Sequence, residues 1–290
     1  MAAPRNERLN GIGLGLRYPL ANDLFDAPPD GLKFLEIHPE NYLERGGRYA
    51  NILEHALARW PLLTHGLTLG LGNSQRFDPR YTAQLRQFLA RDIRAPWHSE
   101  HLCFTEANGR ILHELLPLPF TEDAILTAVA RVRELRDAVE CPIAIENVSY
   151  YANLSPPTMS EVEFLLQVVD RADALILLDV NNVYVNSVNH GFDPYAYIDR
   201  IPKHRVAQLH VAGHLTQKNG PIIDTHAEPI IEPVYALLDY ALRRLGPKPV
   251  LLERDEKFPA FSLLVQEIHR LQDIYATVFK VEASVITKSL

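Results

Sequence analysis

Seven stretches of this chain place an imidazole or a carboxylate where an apolar run stops. They are Leu62-Leu63-Thr64-His65, Ser99-Glu100-His101, Ile143-Ala144-Ile145-Glu146, Ile176-Leu177-Leu178-Asp179, Gln208-Leu209-His210, Asp224-Thr225-His226 and Val250-Leu251-Leu252-Glu253. An apolar run favours burial, and an ionisable group at its end is costly there unless something binds it. Asn182 follows Asp179 by three residues. His65, His101, Glu146, Asp179, Asn182, His210, Asp224, His226 and Glu253 offer only nitrogen and oxygen. Such a set suits iron, manganese or zinc, and is poor for copper(I) or an iron–sulfur cluster, which want sulfur. Nine ligands exceed what one ion takes, so two or three ions sharing carboxylates are implied. One histidine on an apolar strand is ordinarily a core residue with a hydrogen bond. Nine such positions would need nine separate buried networks at one place.

Other polar residues fall near the same segments. His38, Glu40 and Asn41 either bind substrate or brace a loop. His98 precedes His101 by three residues, so on a strand the two face opposite sides, and His98 is expected outside the site. His190 and His214 are candidates for partners that orient ligands. Cys103 shares parity with His101 but reads as a buried structural thiol. Arg254 and Asp255 are expected to form an ion pair at the rim.

Positioning such a set requires elements that end together. Apolar runs predict strands over 11–16, 33–38, 62–69, 96–103, 142–148, 174–181, 206–212 and 249–254. Amphipathic periodicity predicts helices near 48–60, 79–93, 121–140, 159–170, 228–245 and 259–276, with short pieces near 20–26 and 193–200. Asp78 before Pro79, and Thr121 before Glu122, read as helix caps. The Pro-rich stretches Leu116-Pro117-Leu118-Pro119 and Ser155-Pro156-Pro157 read as loops. Eight β/α cycles without a linker predict a single (β/α)8 TIM barrel spanning 1–290, with its core over 10–275 and short tails. A doubly wound open sheet is the competitor. The barrel is favoured because it converges strand ends on one point, whereas an open sheet spreads them along an edge.

Composition bounds the partners. The chain has 290 residues, 47% hydrophobic and 22% charged, enough for a sizeable core. A net charge of −7 gives little electrostatic reason to bind nucleic acid. No apolar run reaches the roughly 18 residues that span a bilayer. The N-terminal segment Met1–Arg8 lacks the apolar stretch of a signal peptide. The two cysteines, Cys103 and Cys141, form neither a disulfide framework nor a paired-cysteine metal motif, and a cytoplasmic location is expected.

Several strings are more specific: Phe34-Leu35-Glu36-Ile37-His38-Pro39-Glu40-Asn41-Tyr42, Leu178-Asp179-Val180-Asn181-Asn182, His210-Val211-Ala212-Gly213-His214 and Leu252-Glu253-Arg254-Asp255. With them, from about residue 10 to 275, the chain resembles the multinuclear non-haem iron-dependent oxidative enzymes. That family contains the methanobactin oxidase catalytic subunit and belongs to the xylose-isomerase-like barrels. The resemblance implies two or three irons in mixed Fe2+/Fe3+ states, with O2 as co-substrate. His65, His101 and Glu146 would hold one ion, and Glu146, Asp179, His210 and Glu253 a second. Asn182, Asp224 and His226 would hold a third. The family pattern favours Asn182 as the ligand, whereas strict strand alternation from Asp179 favours Asn181. The implied substrate is a cysteine of a ribosomally made precursor peptide, presented with a small partner protein that captures the leader. The rival reading is a zinc or manganese hydrolase or isomerase on the same barrel, acting on a phosphodiester or a sugar. A metal-free binding protein is a third.

Overall fold

A computed structural model describes residues 9–107, 110–153, 156–218 and 220–286. The segment Met1–Arg8, which bears the signal-peptide expectation, and Ser155 of the second Pro-rich stretch lie outside the described residues. Eight strands close into an all-parallel barrel: β1 (Gly11–Gly15), β2 (Phe34–Ile37), β3 (Leu62–His65), β4 (His98–His101), β7 (Ile143–Glu146), β8 (Leu175–Asp179), β9 (Val206–Val211) and β12 (Pro249–Leu252). β1 closes the ring by pairing Ile12 with Val250 and Gly13 with Phe34. The expected (β/α)8 barrel is the fold observed.

Period-two alternation divides each strand between two environments. Leu14, Leu35, Ile145, Ile176, Leu209 and Val250 face outward into the main core beneath the helices. Phe34, Leu63 and Leu251 form a separate buried cluster inside the barrel, with Leu9 and Trp97 against it. β1 is glycine-rich because its neighbour needs the space. A Cβ on Gly13 would fall 2.5 Å from the Phe34 ring.

The outer layer is α2 (Arg48–Arg59), α3 (Pro79–Gln87), α4 (Glu122–Val139), α5 (Glu161–Ala172), α7 (Pro194–Arg200), α8 (Glu232–Leu245) and α9 (Phe261–Ile286), after a short α1 (Ala21–Asp26). α4 shows the logic. Thr121 accepts from the Ala124 amide at its start, and Ile125, Ala128, Val132, Leu135 and Val139 recur at three or four residues as its buried face. Each of the larger ones, Ile125, Val132, Leu135 and Val139, contributes about 1.5–3 kcal/mol by leaving water. Asp78 caps α3 likewise. That helix ends at Gln87 and continues as one π-helical stretch, Phe88–Ile93, where a single helix over 79–93 was expected.

Besides β3, which ends at His65 where a strand over 62–69 is expected, three further regions depart from the sequence expectation, all on the barrel's C-terminal side. The strand expected to reach residue 181 stops at Asp179, and α6 (Val180–His190) begins there. Asp179 is its N-cap, with Oδ1 accepting from the Asn182 amide at 2.7 Å. The predicted strand runs two residues too far, over Val180 and Asn181, and leaves 182–190 without an element, while the Asp cap and Gly191 after the last turn were the helix signals. Second, β5 (Cys103–Ala107) and β6 (Arg110–Pro117) pair as an antiparallel hairpin, so Leu116 and Pro117 belong to a strand and not a loop. Third, β10 (His214–Leu215) and β11 (Ile223–Asp224) form a second small antiparallel pair. Among the described residues, no helix is long and apolar enough to cross a membrane.

Candidate metal centre

The inward side chains at the ends of β3, β4 and β7 meet first. His65 Nε2 lies 3.0 Å from Glu146 Oε2 and 3.1 Å from His101 Nε2, and His101 Nε2 lies 3.2 Å from the same oxygen. Three ligand atoms thus face one point. The second oxygen of Glu146 turns the other way, with Oε1 3.7 Å from His210 Nδ1, which is itself 2.9 Å from Glu253 Oε2. Among the described residues, His65, His101 and Glu146 form one group whose ligand atoms lie within 4.8 Å of one another, and Glu146, Asp179, His210 and Glu253 form another. Glu146 sits in both with different oxygens, the geometry of a bridging carboxylate.

The remaining three candidates lie beside these. His226 Nε2 is 2.8 Å from Asp224 Oδ1 and 4.0 Å from Asp179 Oδ2. Asn181 and Asn182 occupy the first turn of α6, so strand alternation does not choose between them. Their hydrogen bonds differ. Asn181 is used up, donating to Asp224 Oδ1 at 2.8 Å and accepting from His214 Nδ1 at 2.7 Å. Asn182 donates to the Asn147 carbonyl and leaves its own Oδ1 buried and unpartnered.

That orphaned oxygen is one of a set. Glu146 Oε2, Asp179 Oδ2, Asn182 Oδ1 and His226 Nε2 are all buried without a hydrogen bond. Two of them still have close polar neighbours, Glu146 Oε2 lying 3.0 Å from His65 Nε2 and His226 Nε2 2.8 Å from Asp224 Oδ1. An unsatisfied buried acceptor costs on the order of 1–3 kcal/mol. Two carboxylate oxygens, an amide oxygen and an imidazole nitrogen gathered there fit cations, and an all N/O donor set fits hard or borderline ones.

The electrostatics of the cluster are lopsided. Burial alone would raise Glu146, but the facing His65 and His101 imidazoles reverse this and hold it at about 2. Burial raises Asp179 to about 8, with Glu146 and Asp224 adding repulsion against the pull of His226. Burial and His65 lower His101 to about 4. His210 opposes burial and is raised, because Glu36 and Glu253 flank it.

Surrounding residues hold these side chains still. Ser99 meets His65 Nδ1 at 2.9 Å, and Asn147 brackets the Asp179 backbone, donating to its carbonyl and accepting from its amide. Ser149 donates to Asp224 Oδ2, and Tyr151 accepts from the Asp224 amide. The third group with metal-like spacing, His38, Glu253 and Asp255, already contains a cation. Arg17 donates to Asp255 at 2.8 Å and to Glu253 at 3.0 Å. Sequence reasoning missed Arg17, Glu36, Gln208 and Asn147; a lone acid inside the apolar run Phe34–Ile37 was the available signal for Glu36.

The secondary expectations divide. His98 faces away from the site and bonds Glu100 and Thr64. Glu40 braces the loop after β3, accepting from the Leu67 and Thr68 amides and the Tyr81 hydroxyl, while His38 meets the His65 carbonyl. Cys103 is fully buried, and burial raises its thiol well above the ordinary range. His214 orients Asn181. His190 does not touch a candidate ligand; it stacks on Tyr150 and bonds that residue's carbonyl. The expected Arg254–Asp255 pair does not form either. Arg254 is buried against Glu267 and the Ala227 carbonyl, because successive residues after a strand point apart, and Asp255 is taken by Arg17 and His226.

Comparisons with known proteins agree with this architecture. The family described as "RiPP precursor modification enzyme MbnB/TglH/ChrH" matches residues 11–276. A UPF0276 protein of Pseudomonas aeruginosa is 41% identical over 271 residues, covering 93% of this chain and 94% of its own. One from Alcanivorax borkumensis is 38% identical, covering 91% and 90%. Among solved structures, L-ribulose 3-epimerase superposes with a TM-score of 0.62 at 13% identity, over 94% of this chain and 97% of its own. A xylose isomerase domain protein from Alicyclobacillus acidocaldarius gives 0.59 at 16%, over 92% and 99%. These two likenesses show the barrel alone.

Proposed function

This chain belongs to the RiPP precursor modification enzyme family MbnB/TglH/ChrH, and from that membership and its mouth we propose a multinuclear non-haem iron-dependent oxidase. Its substrate is a ribosomally made precursor peptide, and the residue it modifies with O2 is a cysteine. One observation carries the reading. Glu146 Oε2, Asp179 Oδ2, Asn182 Oδ1 and His226 Nε2 are buried, lack a satisfying hydrogen bond and gather where six strand ends converge. His65, His101 and Glu146 would hold one iron, Asp179, His210 and Glu253 with Glu146 a second, and Asn182, Asp224 and His226 a third. Bound there, iron supplies Lewis acidity toward a thiolate and electrons for O2.

The chain's own residues do the rest. Asp179, raised to about 8, holds a proton that an entering cation would displace, whereas Glu146, held at about 2, is already ionised. Ser99 and Asn147 fix ligand directions before any ion arrives, so loading costs little reorganisation. The precursor is presented by a small leader-binding partner protein.

The test is aerobic turnover of a cysteine-containing precursor peptide and its leader-binding partner by the iron-loaded protein, followed by mass spectrometry. A mass change that needs both iron and O2 is expected, together with a visible charge-transfer band on adding a thiol. Undiminished conversion after iron removal, or hydrolysis by a colourless zinc form, would overturn the reading.

A further inference from the structure

His210 differs from the other imidazoles of the cluster in which nitrogen it shows. His65 and His101 present Nε2 to Glu146, whereas His210 presents Nδ1 to Glu253 and Glu146. Its Nε2 points down the barrel, 3.2 Å from Glu36 Oε2. The same oxygen accepts from Gln208 Nε2 at 2.6 Å, and Gln208 Oε1 accepts from Trp97 Nε1 at 3.2 Å. Glu36, Gln208 and His210 are all fully buried.

Glu36 has no packing reason to be there. The interior just below it is the apolar cluster of Phe34, Leu63 and Leu251, and a buried carboxylate is more costly than an apolar side chain of that volume. Its other oxygen, Oε1, has no hydrogen-bond partner, so its bonds all run to Gln208 and His210. A carboxylate behind a ligating imidazole holds the ring, selects the N–H it faces, and raises the basicity of the far nitrogen.

We propose that Glu36, held by Gln208, is the positioning residue that makes His210 a metal ligand through Nδ1. This rests on the metal-centre reading above. Gln208 completes the device by fixing which Glu36 oxygen faces the ring, and Trp97 fixes Gln208 by occupying its carbonyl.

The geometry supplies its own rescue experiment, because the Gln208 side-chain nitrogen also lies 3.0 Å from His210 Nε2. Exchanging the two side chains returns a carboxylate to that nitrogen. Cobalt(II) is titrated into the metal-free full-length protein against a competing chelator, with the visible ligand-field bands recorded and thermal stability of each metal-free variant measured alongside. Glu36→Gln is expected to weaken cobalt at the His210 set about 10–100-fold and shift its bands. The exchange Glu36→Gln with Gln208→Glu is expected to recover most of that loss. Wild-type affinity in Glu36→Gln, no recovery in the exchange, or unfolding of both variants overturns the proposal. Wild-type protein that binds no metal at all would sink the metal-centre reading along with it, whereas a metal-binding wild type with an indifferent Glu36→Gln sinks only the role of Glu36.

Discussion

The two ends of the barrel are made from the same strands and obey opposite rules. At the lower end Phe34, Leu63 and Leu251 fill the interior, with Gly13 cut back to admit the Phe34 ring. Every atom there gains by burial. At the upper end those strands finish in His65, Glu146, Asp179, His210 and Glu253, and buried acceptors are left open. One end is where the fold is stabilised, and the other is where stability is given up to hold something. Unsatisfied buried groups in an otherwise well-packed protein mark sites of function.

A pair of substitutions should separate the ends most sharply. Phe34→Ala is expected to cost about 3–5 kcal/mol and lower the melting temperature by roughly 10 °C, while the folded fraction keeps its metal stoichiometry. Asp179→Asn should do the reverse. An asparagine still caps α6 through its side-chain oxygen. Because burial raises Asp179 from its ordinary value to about 8, its ionisation costs the metal-free protein stability that is lost as pH rises from about 4 through 8. The variant should therefore melt higher than wild type at pH 8 without metal, yet lose metal and at least about a hundredfold in turnover. Equal melting losses in both variants, by calorimetry on chelated protein, would erase the contrast.

The second comparison is between adjacent asparagines. Asn182→Ala removes an unpartnered oxygen and is expected to abolish occupancy of the Asp224–His226 set while sparing the ions at Glu146. Asn181→Ala removes only the brace on Asp224 and His214 and should weaken that ion several-fold without expelling it. Metal analysis after gel filtration distinguishes them, and reversed outcomes would make Asn181 the ligand.

The smallest effect is expected at Glu161, in the 330 Å³ pocket near Tyr150, His190 and Tyr197. Burial raises this carboxyl to about 8 as well, but its oxygens accept from Tyr197 and Asn186 and none is orphaned. Glu161→Gln should flatten the fall in melting temperature between pH 5 and 8 by a few degrees, about 2–4 °C per kcal/mol, and leave metal content unchanged. Metal loss in this variant would mean that a raised proton affinity, and not an open lone pair, is what marks the centre.

How far the sequence was legible follows from the range of the forces involved. The barrel strands and long helices could be read because period-two and period-3.6 patterning is local, and so could the caps Asp78 and Thr121. α6 was missed because the predicted strand over 174–181 runs two residues into it and no element is predicted over 182–190, and the β5–β6 hairpin was hidden behind its prolines. Arg254 and Asp255 illustrate the same limit: neighbours in sequence, they bond to different elements, and only packing assigns them.

Residue types at strand ends determined by themselves that His65, His101, Glu146, Asp179, His210 and Glu253 belong to one mouth, because a parallel barrel gathers the ends of its strands. Closure of the ring alone decided the rest. It brought Glu36 within reach of His210 across 174 residues of chain, set Arg17 between Glu253 and Asp255, and turned Asn182 rather than Asn181 toward open space. Hydrogen-bond partners so distant along the chain leave no periodic trace, since their pairing is fixed by the curvature of the barrel and not by local backbone preference.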